Sequence, residues 1–164
     1  MSTSVDSDTA IPDDIEDTLK GRYLTFRVGD EEYGIEILHV IEIVGVQEIT
    51  WVPNVPSFVR GVINLRGHVI PVIDVRERFS MPSRNYDART CVIVVRIDDV
   101  TVGMVVDTVN EVREIPESSI SAPPQVGGVQ ALDFIKSMGR VGDNVLILLD
   151  VRKLIGREEL ESIS

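Results

Sequence analysis

One cysteine, Cys91, stands among the 164 residues, so no disulfide can close within the chain and a cysteine-built metal site is excluded. It lies in the apolar run Cys91-Val92-Ile93-Val94-Val95, which reads as a buried structural thiol and not a reactive one. The two histidines, His39 and His68, are far apart, and neither adjoins a second ligand type at metal spacing. Both read as ordinary side chains, and no metal is expected. Aromatic residues make up only 5% of the chain, so a core of Val, Ile and Leu must do the packing, and β-branched residues favour pleated strands. The sole tryptophan, Trp51, sits near Pro53 in a loop-like stretch, where it either plugs the end of a barrel or meets a partner. No apolar run approaches the roughly 18 residues of a membrane span, and the N-terminus shows no basic segment leading into an apolar one. These absences describe a soluble, intracellular protein with no direct membrane insertion.

Positive charge is scarce as well. Sixteen basic residues face 27 acidic ones, and a net charge of −11 would repel the phosphates of nucleic acid. Six of the acids (Asp6, Asp8, Asp13, Asp14, Glu16 and Asp17) fall in the first twenty residues against one base, Lys20. With so little to bury, residues 1–20 read as a disordered acidic tail. No phosphate-binding loop is present, since Val126-Gly127-Gly128-Val129 lacks the lysine and helix start such a loop needs. The remaining acids are scattered. Neither a cofactor nor an enzymatic activity is expected, and binding is the function left.

What is present is an internal repeat. At an offset of 69, residues 23–34 match residues 92–103 without a gap: Arg27 meets Arg96, Asp30 meets Asp99, and Gly34 meets Gly103. Val40, Glu42 and Ile43 likewise meet Val109, Glu111 and Val112. The offset then grows to 76, where Phe58 meets Phe134 and residues 69–76 meet residues 145–152, both ending Asp-Val-Arg. Two units of about 70 residues in the same order suggest a duplicated small fold. The extra residues of the second unit fall to the Pro/Gly-rich stretch 122–128.

Each unit reads as short strands joined by turns. In the first, residues 24–28 run into the Gly29-Asp30 turn, 33–37 resume the strand, and 38–41 form one helical turn before 42–46 extend again. Pro53 and Pro56 interrupt the chain ahead of a strand over 62–65, and Arg66-Gly67 turns it into 69–73. Asp74 caps a short helix through Phe79, and Asp150 caps a C-terminal helix over 151–160. The fold class is all-β: two five-stranded barrels, the first over about 21–88 and the second over about 89–160, with exchange of strands between them left open. The shared core is expected from residues 69–73 and 145–149, with Val40 and Val109 at corresponding sites.

The hairpin over residues 28–35, the segment Val40-Ile41-Glu42-Ile43, and above all residues 58–67 continuing through 69–76 are similar to the CheW-like family of chemotaxis coupling proteins. Residues 103–107 and 142–150 extend the resemblance over about 20–158, and the element Asn64-Leu65-Arg66-Gly67 is highly specific in this setting. The resemblance implies two interlocked SH3-like β-barrels. It also implies a cytoplasmic, non-enzymatic adaptor, recruited to membrane-associated receptor arrays. Such an adaptor bridges the cytoplasmic tip of methyl-accepting chemoreceptors to the regulatory domain of a histidine kinase, a domain of the same fold. The family places the receptor tip in an apolar groove between the barrels, and by motif Val40, Glu42, Gly61, Arg66 and Val112 line or flank it. Gly61 permits close backbone approach. Arg66 at a turn tip reaches solvent and a partner carboxylate. Val40 and Val112 read equally well as core, and Gly61 as serving only a local bend. Ser137 stands opposite Gly61 in the repeat, where the family leads one to expect glycine. One alternative is a coupling protein of a non-flagellar chemosensory pathway, such as pilus motility. Another is a small-barrel nucleic-acid binder, against which the negative charge and few aromatics stand.

Overall fold

The structure, a computed structural model, describes residues 17–123 and 133–156. The strands are β1 (Arg22–Val28), β2 (Glu31–Glu36), β3 (Val40–Gly45), β4 (Val59–Leu65), β5 (His68–Asp74), β6 (Cys91–Ile97), β7 (Val100–Val106), β8 (Thr108–Glu114), β9 (Ile120–Ser121), β10 (Ile135–Val141) and β11 (Asn144–Leu149). Two four-residue helices, α1 (Val75–Arg78) and α2 (Val151–Leu154), follow β5 and β11, and 3-10 turns cover Ile37–His39 and Glu117–Ser119. The fold is all-β with short helices, as the β-branched composition requires.

Four hairpins close through two-residue turns: Gly29-Asp30, Arg66-Gly67, Asp98-Asp99 and Gly142-Asp143. Each has a positive φ at its first position, +66° at Gly29, +54° at Arg66, +56° at Asp98 and +62° at Gly142. This backbone matches the right-handed twist of the flanking strands. The caps follow the sequence expectation. Asp74 accepts from the Arg76 and Glu77 backbone N–H groups, and Asp150 from that of Lys153, satisfying donors the first helical turn leaves free. Helix α2 is shorter than expected within the described residues, since the chain leaves helical geometry after Ile155 and residues 157–164 lie outside them.

The strands assemble into two sheets, β8-β1-β2-β11-β10-β9 and β3-β6-β7-β5-β4. If every strand is replaced by its copy in the other repeat, one order becomes the other. Even β9, which pairs Ser121 with Met138, has a counterpart in the single bridge between Thr50 and Val62. The repeats are not separate, however. Hairpin β1–β2 sits in the sheet made of β8 to β11, and hairpin β6–β7 completes the sheet made of β3 to β5. The exchange is sealed by two short parallel pairings at equivalent positions, Tyr33 with Ile147 and Val72 with Gly103 among them.

Because each sheet borrows a hairpin, the main core lies where the sheets meet. Leu24, Phe26, Tyr33 and Ile35 pack there with Ile93, Val95, Val102 and Met104, closed over by Val75, Phe79, Val151 and Leu154 from the helices. Smaller clusters belong to one sheet each, Ile63, Ile70, Val72, Val92, Val94 and Val105 in one, Tyr23, Ile115, Leu146 and Leu148 in the other. Ile73 and Leu149 are core residues, but Val69 and Val145 are 66% and 53% exposed. Val69 and Val145 share a face with Ile73 and Leu149, four positions on, but stand beside the hairpin turns, outside the parallel pairings that begin at Val72 and Ile147, so the expected core does not reach them. Val40 and Val109 are partly buried against the main core. Cys91 is also only partly buried, and its Sγ donates to the Arg89 carbonyl at 3.3 Å. Of the acidic tail, residues 17–19 form a helical turn and residues 1–16 lie outside the described residues.

Polar contacts also fasten the halves. Arg78 lies between the duplicate rings Phe58 and Phe134, 3.9 and 4.7 Å from their centroids, and donates to the carbonyls of Lys153 and Leu154. Asp107, 12% exposed between β7 and β8, takes Arg76 at 2.7 Å, Arg84 at 3.0 Å and the Gly29 N–H at 2.8 Å. Burial alone would push its pKa up, but these hydrogen bonds and the two guanidinium charges outweigh it and hold the carboxyl below its usual range. Glu36 at the end of β2 meets Lys136 of β10 at 3.1 Å and His39 at 3.5 Å. The His39 contact, with help from Lys136 and against burial, lowers Glu36 from 4.5 to about 2. Carboxylates with depressed folded pKa values stabilise above their unfolded values and lose that contribution as pH falls through the folded ones. Denaturant midpoints are therefore expected to hold above about pH 4.5 and to fall from there toward about pH 2. Glu36→Gln should flatten part of that fall. Added salt should also weaken it, since the Glu36 side chain is 36% exposed. A midpoint independent of pH over this window would contradict it.

Candidate functional site

The turn between β4 and β5 is built by its own residues. The Asn64 Oδ1 accepts the Gly67 N–H at 2.9 Å, and Arg66 takes the left-handed conformation at φ +54°. For a residue with a Cβ, that conformation costs roughly 1–2 kcal/mol. From this turn Arg66 Nη1 meets Glu42 Oε1 of β3 at 2.6 Å. The hydrogen bond, with the opposite charge, holds the Glu42 carboxyl below its usual range and raises the arginine.

The pair spans the mouth of an open cleft of about 510 Å³, lined also by Ile41, His68, Val69 and Arg96. Ile41 and Val69 are 49% and 66% exposed, so the cleft presents aliphatic surface beside a charge pair. Strand β3 and the β4–β5 hairpin come from the first repeat, while Arg96 comes with the borrowed hairpin β6–β7. The composite wall is a product of strand exchange.

Of the five residues expected at the site, two are in contact, Glu42 and Arg66. Val40 pairs with Val95 and packs on the main core. Gly61 sits in a β-bulge of β4, where a Cβ would collide with the Thr50 carbonyl oxygen. Ser137 holds the same bulge in β10. Val112 lies half exposed on β8, the edge strand of the other sheet, opposite Leu24. The duplication pairs Val112 with Ile43 and Val145 with Val69, and all four are exposed, so each sheet offers an aliphatic pair at equivalent positions. Ile41, Ile43 and Val69 were not singled out from the sequence. The signal lay in β3, where a charged residue stands between two aliphatic ones, and the bulge between Val40 and Glu42 brings Ile41 and Glu42 to the same cleft.

Trp51 does not plug a barrel; it is 74% exposed. Among the described residues, no group of three His, Cys, Asp or Glu side chains could hold a metal ion, and no helix is long and apolar enough to cross a membrane.

Known proteins match both the sequence and this geometry. A crystal structure of the scaffolding protein TtCheW from Thermoanaerobacter tengcongensis superposes with a TM-score of 0.75 at 35% identity, covering 82% of this chain and 91% of that one. "Chemotaxis protein CheW" of Klebsiella aerogenes is 39% identical over 88% of this chain and 87% of its own length. "Protein FrzA" of Myxococcus xanthus is 33% identical over 81% and 84%. The CheW-like domain family itself matches residues 22–159, from the first strand past the last helix. The family match spans the whole of both exchanged sheets, the relatives are covered along most of their own length, and the chain belongs to the CheW-like family of chemotaxis scaffold proteins.

Proposed function

We propose that this chain is a non-enzymatic adaptor coupling the cytoplasmic tip of chemoreceptors to the regulatory domain of a chemotaxis histidine kinase, in the cytoplasm at membrane-associated receptor arrays. The observation that carries the reading is the Glu42–Arg66 pair. An arginine 69% exposed in a left-handed turn gives the fold little, because solvent and salt screen an exposed ion pair. Beside the exposed Ile41 and Val69 it suits recognition: aliphatic contacts supply area, and the guanidinium selects a partner carboxylate in place of Glu42. Val40, Gly61 and Val112 belong to the same proposal, Val112 through the aliphatic pair on the second sheet. Two equivalent docking faces suit a kinase domain of the same fold and a receptor tip held between.

Arg66→Ala should leave the unfolding midpoint nearly unchanged, within the range usual for exposed positions. Receptor binding or kinase coupling should weaken by about 1–3 kcal/mol, the loss of an interfacial charge contact. A large stability loss with intact binding would return Arg66 to a structural role. A second reading, that the pathway controls something other than flagella, is favoured by the match to Protein FrzA, which is not named as a chemotaxis protein.

A further inference from the structure

Trp51 is the most exposed large apolar side chain among the described residues, and its neighbour Thr50 is tied to the sheet. Thr50 exchanges two hydrogen bonds with Val62, at 2.8 and 2.9 Å, in the space that the missing side chain of Gly61 leaves. An exposed indole next to a strand-bound residue is a residue type enriched among interface anchors. It forms one wall of a cleft of about 370 Å³, whose other walls include Val59, Arg60 and Glu77.

Glu77 supplies the second observation. Its Oε1 is enclosed and accepts no hydrogen bond. The nearest cation, Arg60 Nη1, stays 3.6 Å away, and that guanidinium lies over the Tyr86 ring, 5.6 Å from its centroid. A buried acceptor without a donor is costly, and a fold gains nothing from it by packing. Asp107 shows how this protein satisfies such a carboxylate: two guanidinium groups share it, at 2.7 and 3.0 Å. At Glu77 the enclosed oxygen faces one guanidinium at 3.6 Å, while the side chain as a whole is 32% exposed in the cleft wall and leaves room for a second cation there. An aromatic face and a carboxylate together recognise a cationic side chain, and a chain of net charge −11 draws cations toward it.

We propose that the cleft between Trp51 and Glu77 docks an arginine or lysine side chain of a protein partner, its aliphatic stem along the indole and its head donating to the Glu77 carboxylate. None of these residues lines the Glu42–Arg66 cleft, so the site stands whether or not the chain couples receptors to a kinase. Gly61 acts here as a positioning residue, through the Thr50 carbonyl it admits.

Trp51 is the only tryptophan, so its fluorescence reads the site in the intact chain. The probe is a capped tripeptide with a central arginine, compared with the same peptide carrying citrulline, which keeps the shape and lacks the charge. The arginine peptide should give a saturable change at millimolar concentration, as a one-residue contact implies. The citrulline peptide, and the arginine peptide with Glu77→Gln, should bind about tenfold more weakly or not at all. Equal responses to the two peptides would reassign the cleft to apolar segments. No saturable response by about 10 mM, or an undiminished one in a folded E77Q variant, would overturn the proposal. If E77Q does not fold, the citrulline comparison in the unaltered chain decides alone.

Discussion

A fragment ending at residue 86 is expected to be unfolded, and the intact chain to unfold in one cooperative transition. The fragment keeps β1 to β5 but no complete sheet. Hairpin β1–β2 loses β8 on one side and β11 on the other, and β3 loses β6, its only strand partner. The pair β4–β5 loses β7. What remains is two isolated hairpins and an unpaired strand, and hairpins of this kind are marginal in water without a third strand or a covering layer. The apolar faces are stranded too: Leu24, Phe26 and Ile35 keep none of Ile93, Val95 and Met104. Circular dichroism and amide chemical-shift dispersion should show a disordered fragment, and mixing it with residues 87–164 should restore the native spectrum. A folded isolated 1–86, or two well-separated transitions in the whole chain, would mean that the halves are independent. That outcome would also undo a cleft whose walls come from both halves.

The second large effect is in the core. Ile73→Ala and Leu149→Ala should each cost roughly 2–5 kcal/mol in urea unfolding, the usual penalty for emptying a packed aliphatic site. The two residues are equivalent in the repeat, 0% and 2% exposed, and both lie in the cluster joining the sheets. Val69→Ala and Val145→Ala, four positions earlier in each strand, should fall within about 0.5 kcal/mol of the parent because their side chains face solvent. Comparable losses at all four sites would show that the exposed faces are covered in solution.

The contrast between Ile73 and Val69 also shows what could be read in advance. The repeat, the turns at Gly29-Asp30 and Arg66-Gly67 and the two aspartate caps were legible because each depends on local chemistry: a positive φ at Gly29, a side-chain acceptor at Asp74. Strand exchange stayed open in the residues and came only with the family resemblance, since alternation of apolar residues reports which face is buried and never which strand lies alongside. A run such as residues 69–73 does not show where along one face burial begins, since Val69 and Ile73 lie on the same side of β5 and only the packing of neighbouring strands separates them. At the site, Glu42 and Arg66 were each named from their motifs. Their contact, across 24 positions, needed the barrel to bring strand and turn together. Trp51 reads from the sequence as plug or contact, and its exposure removes the plug. Glu77 carried no signal at all, because an unsatisfied oxygen exists only in three dimensions.

The reciprocal exchange of hairpins bears on how the chain comes into being. Synthesis delivers β1 and β2 first, but Tyr33 has no neighbour on its far side until Ile147 has been made. Through most of translation the N-terminal half is a set of open strand edges and bare aliphatic faces, the state in which chains aggregate or bind chaperones. Native structure can form only when nearly all the strands are present, so folding must follow synthesis and cannot accompany it. Slow loop closure between such distant partners then sets its rate. Overproduction at high temperature should therefore fail through insolubility of the nascent chain well before the finished protein reaches its melting point.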